Sequence, residues 1–251
     1  MKLKLPLIFF LGLILMSCES IKTTSVEIAN ASTTTTTTTV VTSVGANPIV
    51  EAKLPWQPPV DTLDLAAKKK CSYYKYNLIT EYDEYFRKYS KQYMYLGFDY
   101  LYLKAQAVAE SNLNPNAISP VGAIGILQVM PGTYKDIVKR NPAIKGSSKE
   151  AKWNIAAGVY YMSGLWNNWK PKYSWLDHHS FCTSSYNAGQ GNIIKAQAKA
   201  KSMYLNTEVW ISIKISLPSI TGHHSKETIG YVDRIQKIRS CLVSDKTKGI
   251  I

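Results

Sequence analysis

A break in composition near residue 70 constrains this chain more than any other feature. Before it, Thr33 to Thr39 is an unbroken threonine run. Pro48, Pro55, Pro58 and Pro59 follow among scattered polar residues, with no 3.6-residue periodicity. Such a stretch buries too little apolar surface to offset the entropy of ordering it, so residues 18–70 are expected to be a disordered tether. The alternative for it is a small strand-rich domain built on Thr and Val. Residues 71–251 are left for a folded body, about the size of one domain. With 45% hydrophobic and 11% aromatic residues, wholesale disorder is excluded.

The first residues have a different character. Lys2 and Lys4 precede an apolar stretch from Leu5 to Met16, after which come Ser17 and Cys18. No apolar run reaches the ~18–20 residues of a stable membrane span, and a basic start followed by a short apolar core reads as a secretory signal over residues 1–17. Leu15, three places before Cys18, and the small Ser17 resemble a bacterial lipobox, with Met16 a less usual occupant. That resemblance implies lipidation of Cys18 and an exported, membrane-anchored lipoprotein in the periplasm or cell envelope, on the outer membrane as the leading expectation. The competing reading is plain cleavage nearby. From Cys18 to Lys70 the coil would average roughly 40 Å end to end and reach at most about 175 Å. The chain carries 30 Lys and Arg against 17 Asp and Glu, a net charge of +13. The excess favours a polyanionic partner, and export argues against nucleic acid.

From Cys71 the pattern is helical. Tyr82, Tyr85, Phe86, Tyr89 and Tyr93 form an aromatic stripe on one helix face, read as core packing. Asp99 reads as the cap of a helix that runs to about Ser111, with Pro115 behind its end. Ser147 and Glu150 have capping-box spacing ahead of a long helix. Further helices are expected at 174–187, 191–201 and 226–242. The one strand signal is Val209 to Leu217, where Ile211, Ile213 and Ile215 alternate. The body is therefore expected to be mainly α, a single domain.

The densest chemical information runs from Ala105 to Thr133. Glu110 stands one residue from the end of its helix, where the negative end of the macrodipole and burial both raise a carboxyl pKa. A proton would then be available near neutral pH, as a general acid requires. Small Ala105, Ala107 and Ala109 would leave room for a bulky ligand. Pro115, Gly122, Gly125, Pro131 and Gly132 impose a compact loop that could wall a cleft, with Ser119 and Gln128 as polar handles.

Taken together, the segment resembles the SLT-type lytic transglycosylases, relatives of goose-type lysozymes. The likeness rests on Glu110-Ser111, Asn114-Pro115, Ala117, Ser119-Pro120, Gly122-Ala123-Ile124-Gly125-Ile126-Leu127-Gln128 and Met130-Pro131, where Ile126-Leu127 replaces the usual Leu-Met. Later blocks recur in order: Asn154-Ile155 with Gly158 and Tyr160-Tyr161, then Ser185-Tyr186-Asn187-Ala188-Gly189, then Glu227-Thr228 with Tyr231-Val232. The resemblance spans about residues 75 to 240. It implies a lysozyme-like α+β domain that acts on peptidoglycan without a cofactor or metal. By position, Glu110 would be the sole catalytic acid/base. Ser111, Ser119, Gln128, Met130, Tyr186 and Asn187 would line the sugar groove, and Glu227 and Tyr231 its far wall. Blander readings stand beside these: Tyr186 as core, Asn187 and Gly189 as a helix end, Glu227 as a first-turn carboxylate.

Ordinary glycosidases use two carboxylates. No acid follows Glu110 before Asp136; one carboxyl can suffice if the substrate supplies its own nucleophile, and the resemblance then implies 1,6-anhydromuramyl ends. Asp136, Asp177 or Asp233 could still enter the cleft and make a hydrolytic lysozyme. A non-catalytic peptidoglycan-binding lipoprotein and a basic membrane- or nucleic-acid-binding module are the rival classes. Oligomeric state, and action within or at the ends of strands, are not legible. Of Cys71, Cys182 and Cys241, one pair could bond; all three pairings are open, with Cys182–Cys241 leading. His178 and Cys182, four apart, form at most a weak metal pattern.

Overall fold

The computed structural model describes residues 65–170 and 172–243, so the signal segment, Cys18 and most of the expected tether lie outside the described residues. In chain order the elements are α1 (Leu65–Lys69), a 3-10 turn (Tyr74–Asn77), α2 (Asp83–Tyr93), α3 (Tyr100–Ser111), α4 (Pro131–Arg140), α5 (Ala151–Asn168), α6 (Trp175–Ala188), α7 (Gln190–Ser202), α8 (Trp210–Ser216), α9 (Pro218–Thr221) and α10 (His224–Cys241). The architecture is mainly α, as expected. Its β content among the described residues is two isolated antiparallel bridges, Ile118–Ile124 and Ile124–Val129.

Local chemistry sets most boundaries. The Asp99 side chain accepts the Leu101 N–H at 3.0 Å and starts α3. Asn112, left-handed at φ 56°, ends it. Ser174 caps α6 by accepting the Asp177 N–H at 3.1 Å. The Ser147–Glu150 box closes in one direction: Glu150 Oε1 accepts the Ser147 N–H at 2.7 Å, while Ser147 Oγ takes the Lys149 N–H instead, and α5 begins at Ala151. The aromatic stripe of α2 buries Tyr82, Phe86 and Tyr89. Tyr93, at its end, meets the edge of Tyr160 on α5 at 5.4 Å. Helix α4 starts at Pro131, a residue the sequence reading left in the loop; proline at the first helical position was the signal for it.

The expected strand at 209–217 is helix α8. Trp210, Ile213 and Leu217 are buried at i, i+3, i+7, whereas Ile211 and Ile215 are exposed. Three isoleucines at every second position mimic a strand. The tryptophan and leucine beyond them complete a helical face. The Trp210 N–H, held at 2.7 Å by Asp177 Oδ1 on α6, anchors the start of α8.

The leading disulfide expectation also fails. Cys71 bonds Cys241 across 170 residues, and Cys182 is a free, buried thiol inside α6. The region after α1 is sewn to the end of α10. Asn77 Nδ2 donates to the Cys241 carbonyl at 3.1 Å, and Asn77 Oδ1 accepts the Val243 N–H at 2.7 Å. The first described helix thus lies within residues 18–70, and its Lys68 is buried. His178 and Cys182 are core residues: the imidazole stacks on Trp166 at 4.0 Å between centroids, with Nε2 3.1 Å from the Trp166 carbonyl oxygen.

Helix α3 runs through the centre and α10 lies antiparallel along it. At one end Asp99 Oδ2 accepts from Arg239 Nε at 2.5 Å. Further along, Arg234 donates to the Val108 carbonyl at 3.3 Å. At the other end Tyr231 reaches Glu110. On the opposite side, buried Lys104 ties α3 to α2 through Asp83 at 2.6 Å and to the Ile79 carbonyl at 2.8 Å.

Candidate active site

Glu110 sits in the last turn of α3, half-buried beside the loop that joins α3 to α4. The alanines before it make no room for a ligand. Ala105 and Ala107 are fully buried in the core, and only Ala109 is partly open.

The loop is held by its own polar groups and by α5. Asn154 is fully buried; its Oδ1 accepts the Leu127 N–H at 2.8 Å, and its Nδ2 donates to the carbonyls of Ile124 at 2.8 Å and Ser148 at 2.9 Å. Gly125, at φ 78°, is needed for this approach, because a Cβ there would lie 2.6 Å from Asn154 Nδ2. Gly158 does the same one turn on: a Cβ would meet Leu127 Cδ1 at 2.5 Å.

Several residues expected at the groove brace this loop. Gln128 is left-handed at φ 45°, and its Nε2 donates to the carbonyls of Gly125 at 2.8 Å and Ala117 at 3.2 Å. Ser119 Oγ accepts the Ala123 N–H at 2.9 Å. The Ser111 hydroxyl reaches the Ile126 carbonyl at 2.8 Å, fastening the loop to the residue next to Glu110. Tyr186 on α6 donates to the Leu127 carbonyl at 2.8 Å, with its ring edge-on to Tyr161 at 5.3 Å. Met130 is exposed, immediately before α4.

The opposite wall comes from α10. The Tyr231 hydroxyl donates to Glu110 Oε1 at 2.5 Å. Glu227 and Asn187 are exposed, and both line a recess of about 370 Å³ with Thr228, His224, Asn192 and Ile220. The Asn187 Oδ1 accepts the Thr228 hydroxyl at 2.8 Å, locking the end of α6 to α10. Glu110, Tyr231 and Tyr186 therefore approach one another from three helices, with Glu227 near enough for its charge to bear on Glu110, whereas Asn187 lines the recess, which Glu110 does not, and Ser119 and Gln128 serve the loop itself. Arg234 and Gln106, both near this centre, were missed by sequence reasoning. Gln106 carried a signal, being a polar residue among alanines one turn before Glu110.

Burial is the chief reason that the Glu110 carboxyl titrates at about 7 rather than in the usual carboxylate range. The Tyr231 hydrogen bond and the Arg234 charge pull the other way, and the nearby Glu227 charge adds to the rise. The phenols of Tyr231 and Tyr186 are themselves pushed up by burial first and by the Glu110 charge second. The aspartates weighed as partners are occupied elsewhere or open to solvent. Asp177 holds Ser174 and Trp210, Asp233 pairs with Lys214 at 2.7 Å, and Asp136 lies exposed on α4.

A helical domain with one recessed carboxyl of raised pKa, set between a braced loop and a final helix, is the class that fold and site define. Residues 84–207 match the family model described as Transglycosylase SLT domain, and this part of the chain resembles the SLT-type lytic transglycosylases. It is 29% identical over 169 residues to the membrane-bound lytic murein transglycosylase F of Shewanella woodyi, covering 62% of this chain and 34% of that one. The protein of the same name from Shewanella sediminis is 29% identical over 178 residues, with 66% and 35% covered. The chain thus spans about a third of the length of these curated relatives. In fold it is similar to the 70 kDa soluble lytic transglycosylase of Escherichia coli, with TM-score 0.50 and 23% identity over 70% of this chain and 28% of that one. It is likewise similar to the lytic transglycosylase Slt of Pseudomonas aeruginosa, with TM-score 0.51 and 20% identity over 64% and 23%.

Proposed function

We propose that the chain cleaves the β-1,4 bond between MurNAc and GlcNAc in peptidoglycan, with Glu110 as the sole general acid and base. The observation that carries this reading is the recessed Glu110 carboxyl, still protonated in part at neutral pH and held by Tyr231. Neutral Glu110 gives its proton to the glycosidic oxygen as the C1–O bond breaks and positive charge develops on the muramyl ring. The carboxylate left behind takes the proton of the muramyl C6 hydroxyl while that oxygen bonds C1. The proton is returned to Glu110, no water is consumed, and a 1,6-anhydromuramyl end is formed. Asn187 and Glu227, on the recess beside the acid, are assigned to substrate, as are Met130 and the neighbouring Tyr186, Ser111, Ser119 and Gln128. For Ser111, Ser119 and Gln128 the contribution is the shape of the loop.

The relatives' names, which speak of a membrane-bound enzyme acting on murein, support the substrate and a membrane-associated setting. No helix among the described residues is long and apolar enough to cross a membrane. On the lipobox resemblance, anchoring is assigned to a lipid on Cys18, with residues 1–17 as its signal, residues 18–70 as the linker and residues 71–251 as the catalytic part. Mass spectrometry of digested sacculi tests the chemistry: anhydro ends are expected, and reducing ends would transfer the assignment to a hydrolytic lysozyme. Glu110→Gln should fold normally and lose ~10²–10⁴-fold in rate; near-normal turnover in that variant would remove Glu110 from its role.

A further inference from the structure

The segment ahead of residues 84–207 carries a residue that reaches the end of α3. This segment is fastened at two points to the end of α10. Cys71 bonds Cys241, and Asn77 holds the Cys241 carbonyl at 3.1 Å and the Val243 N–H at 2.7 Å. Between those points the 3-10 turn presents Tyr76, whose ring is buried. Its hydroxyl donates to Asn112 Oδ1 at 2.7 Å. Asn112 is itself exposed, so packing does not hold it.

The place it reaches is strained. Asn112 follows Glu110 by two residues and is left-handed at φ 56°, and Leu113 repeats that conformation at φ 63°. Asparagine tolerates it, whereas leucine adopts it at a cost that the surroundings must hold. The pair turns the chain off α3 directly after Ser111. Helix ends fray, and Glu110 belongs to the last turn. No basic side chain in that turn is available to hold its carbonyls. Ser111 fastens the end to the loop through the Ile126 carbonyl at 2.8 Å, and Asn112 fastens it to Tyr76.

We infer that Tyr76 is a positioning residue for the proposed acid: by holding the Asn112 side chain it keeps the last turn of α3 closed and Glu110 set against Tyr231. The contact from the Tyr231 hydroxyl to Glu110 Oε1, at 2.5 Å, leaves little room for displacement. A misplacement of about 1 Å at a reacting group can cost up to roughly 10²-fold in rate. The inference rests on Glu110 being the acid and concerns what holds its helix end. The bland alternative is that Asn112 only satisfies a buried phenol. The two part company at Asn112→Gly, because glycine takes the left-handed turn more easily than asparagine and leaves Tyr76 nothing to hold.

The test compares Tyr76→Phe, Asn112→Gly and the double variant in the full chain. Tyr231, Arg234 and Glu227 of α10 and Tyr186 of α6, which bear on Glu110, are left intact by all three. Circular dichroism and melting should stay native. Each single variant should lower kcat by roughly tenfold with KM little changed. By ¹³C NMR the Glu110 midpoint should fall from about 7 towards 4.5, as water enters a loosened turn. The double variant should lose no more than the worse single one, since one bond is removed either way. A Glu110 midpoint that stays put in Asn112→Gly overturns the inference, as do losses that multiply in the double variant. Failure of the functional reading looks different: the midpoint falls in both single variants while kcat is untouched, which keeps the clamp and removes Glu110 as the acid.

Discussion

Glu110, the proposed acid, illustrates how a setting alters a common side chain. Near the end of α3 it meets the unfavourable end of the helix dipole, as its sequence position implied, but the structure puts burial first among the causes of its shift. The consequence for pH can be signed. The folded pKa of about 7 lies above the ordinary value of 4.5, so the neutral acid favours the fold fully at low pH, and this is lost as pH rises through 7. Glu110→Gln, which cannot ionise, should therefore match the parent in urea melts at pH 4 and exceed it at pH 9, by at most about 3 kcal/mol. Equal stability at both values would mean that the carboxyl is not destabilised by its setting. The same titration should make kcat/KM fall about tenfold per unit above pH 7, as the proton donor is lost. The proposed acid was legible because motif and helix end coincide. Tyr231 was legible as a residue, though not as the one that grips the carboxyl, since no local pattern records a contact across 121 residues.

At the scale of elements, the stretch between α3 and α4 has little secondary structure and is held by polar side chains, with one buried amide at their centre. Asn154 satisfies Leu127, Ile124 and Ser148 at once, and Gly125 gives it room. Replacing Asn154 with alanine removes three bonds and leaves buried backbone groups unpaired, at a cost of about 2–4 kcal/mol. Hydrogen exchange should find the Leu127 amide newly labile, and turnover should fall more than melting alone explains. An unchanged Leu127 amide would show that the loop holds itself. Capped helices were readable here because Asp99 and Ser174 announce their own termini. The short α8 was not, since alternating isoleucines satisfy strand and helix alike until Trp210 and Leu217 are counted. Helix α4 hid behind Pro131 and Gly132, which open a helix as readily as they shape a turn.

For the molecule as a whole, the bond between Cys71 and Cys241 closes a loop of nearly the entire described chain. Replacing both cysteines with serine should lower stability by about 2–5 kcal/mol in denaturant titrations, with reductant reproducing the loss in the parent protein. Identical midpoints with and without reductant would leave Asn77 and its neighbours as the whole clamp. Which two of three thiols pair could not be read beforehand, because cysteine spacing says nothing of distance in space. Cys182 is sealed in the core, where burial pushes its thiol well above the ordinary range.

The antiparallel seating of α10 on α3 has a temporal meaning. Glu110 is translated early and Tyr231 more than a hundred residues later, so a growing chain carries the proposed acid long before its partner exists. Until the last helix docks, that carboxyl lacks the Tyr231 hydroxyl and the charges of Arg234 and Glu227. A polypeptide truncated ahead of Tyr231 would keep the motif and lose the hydroxyl that grips it.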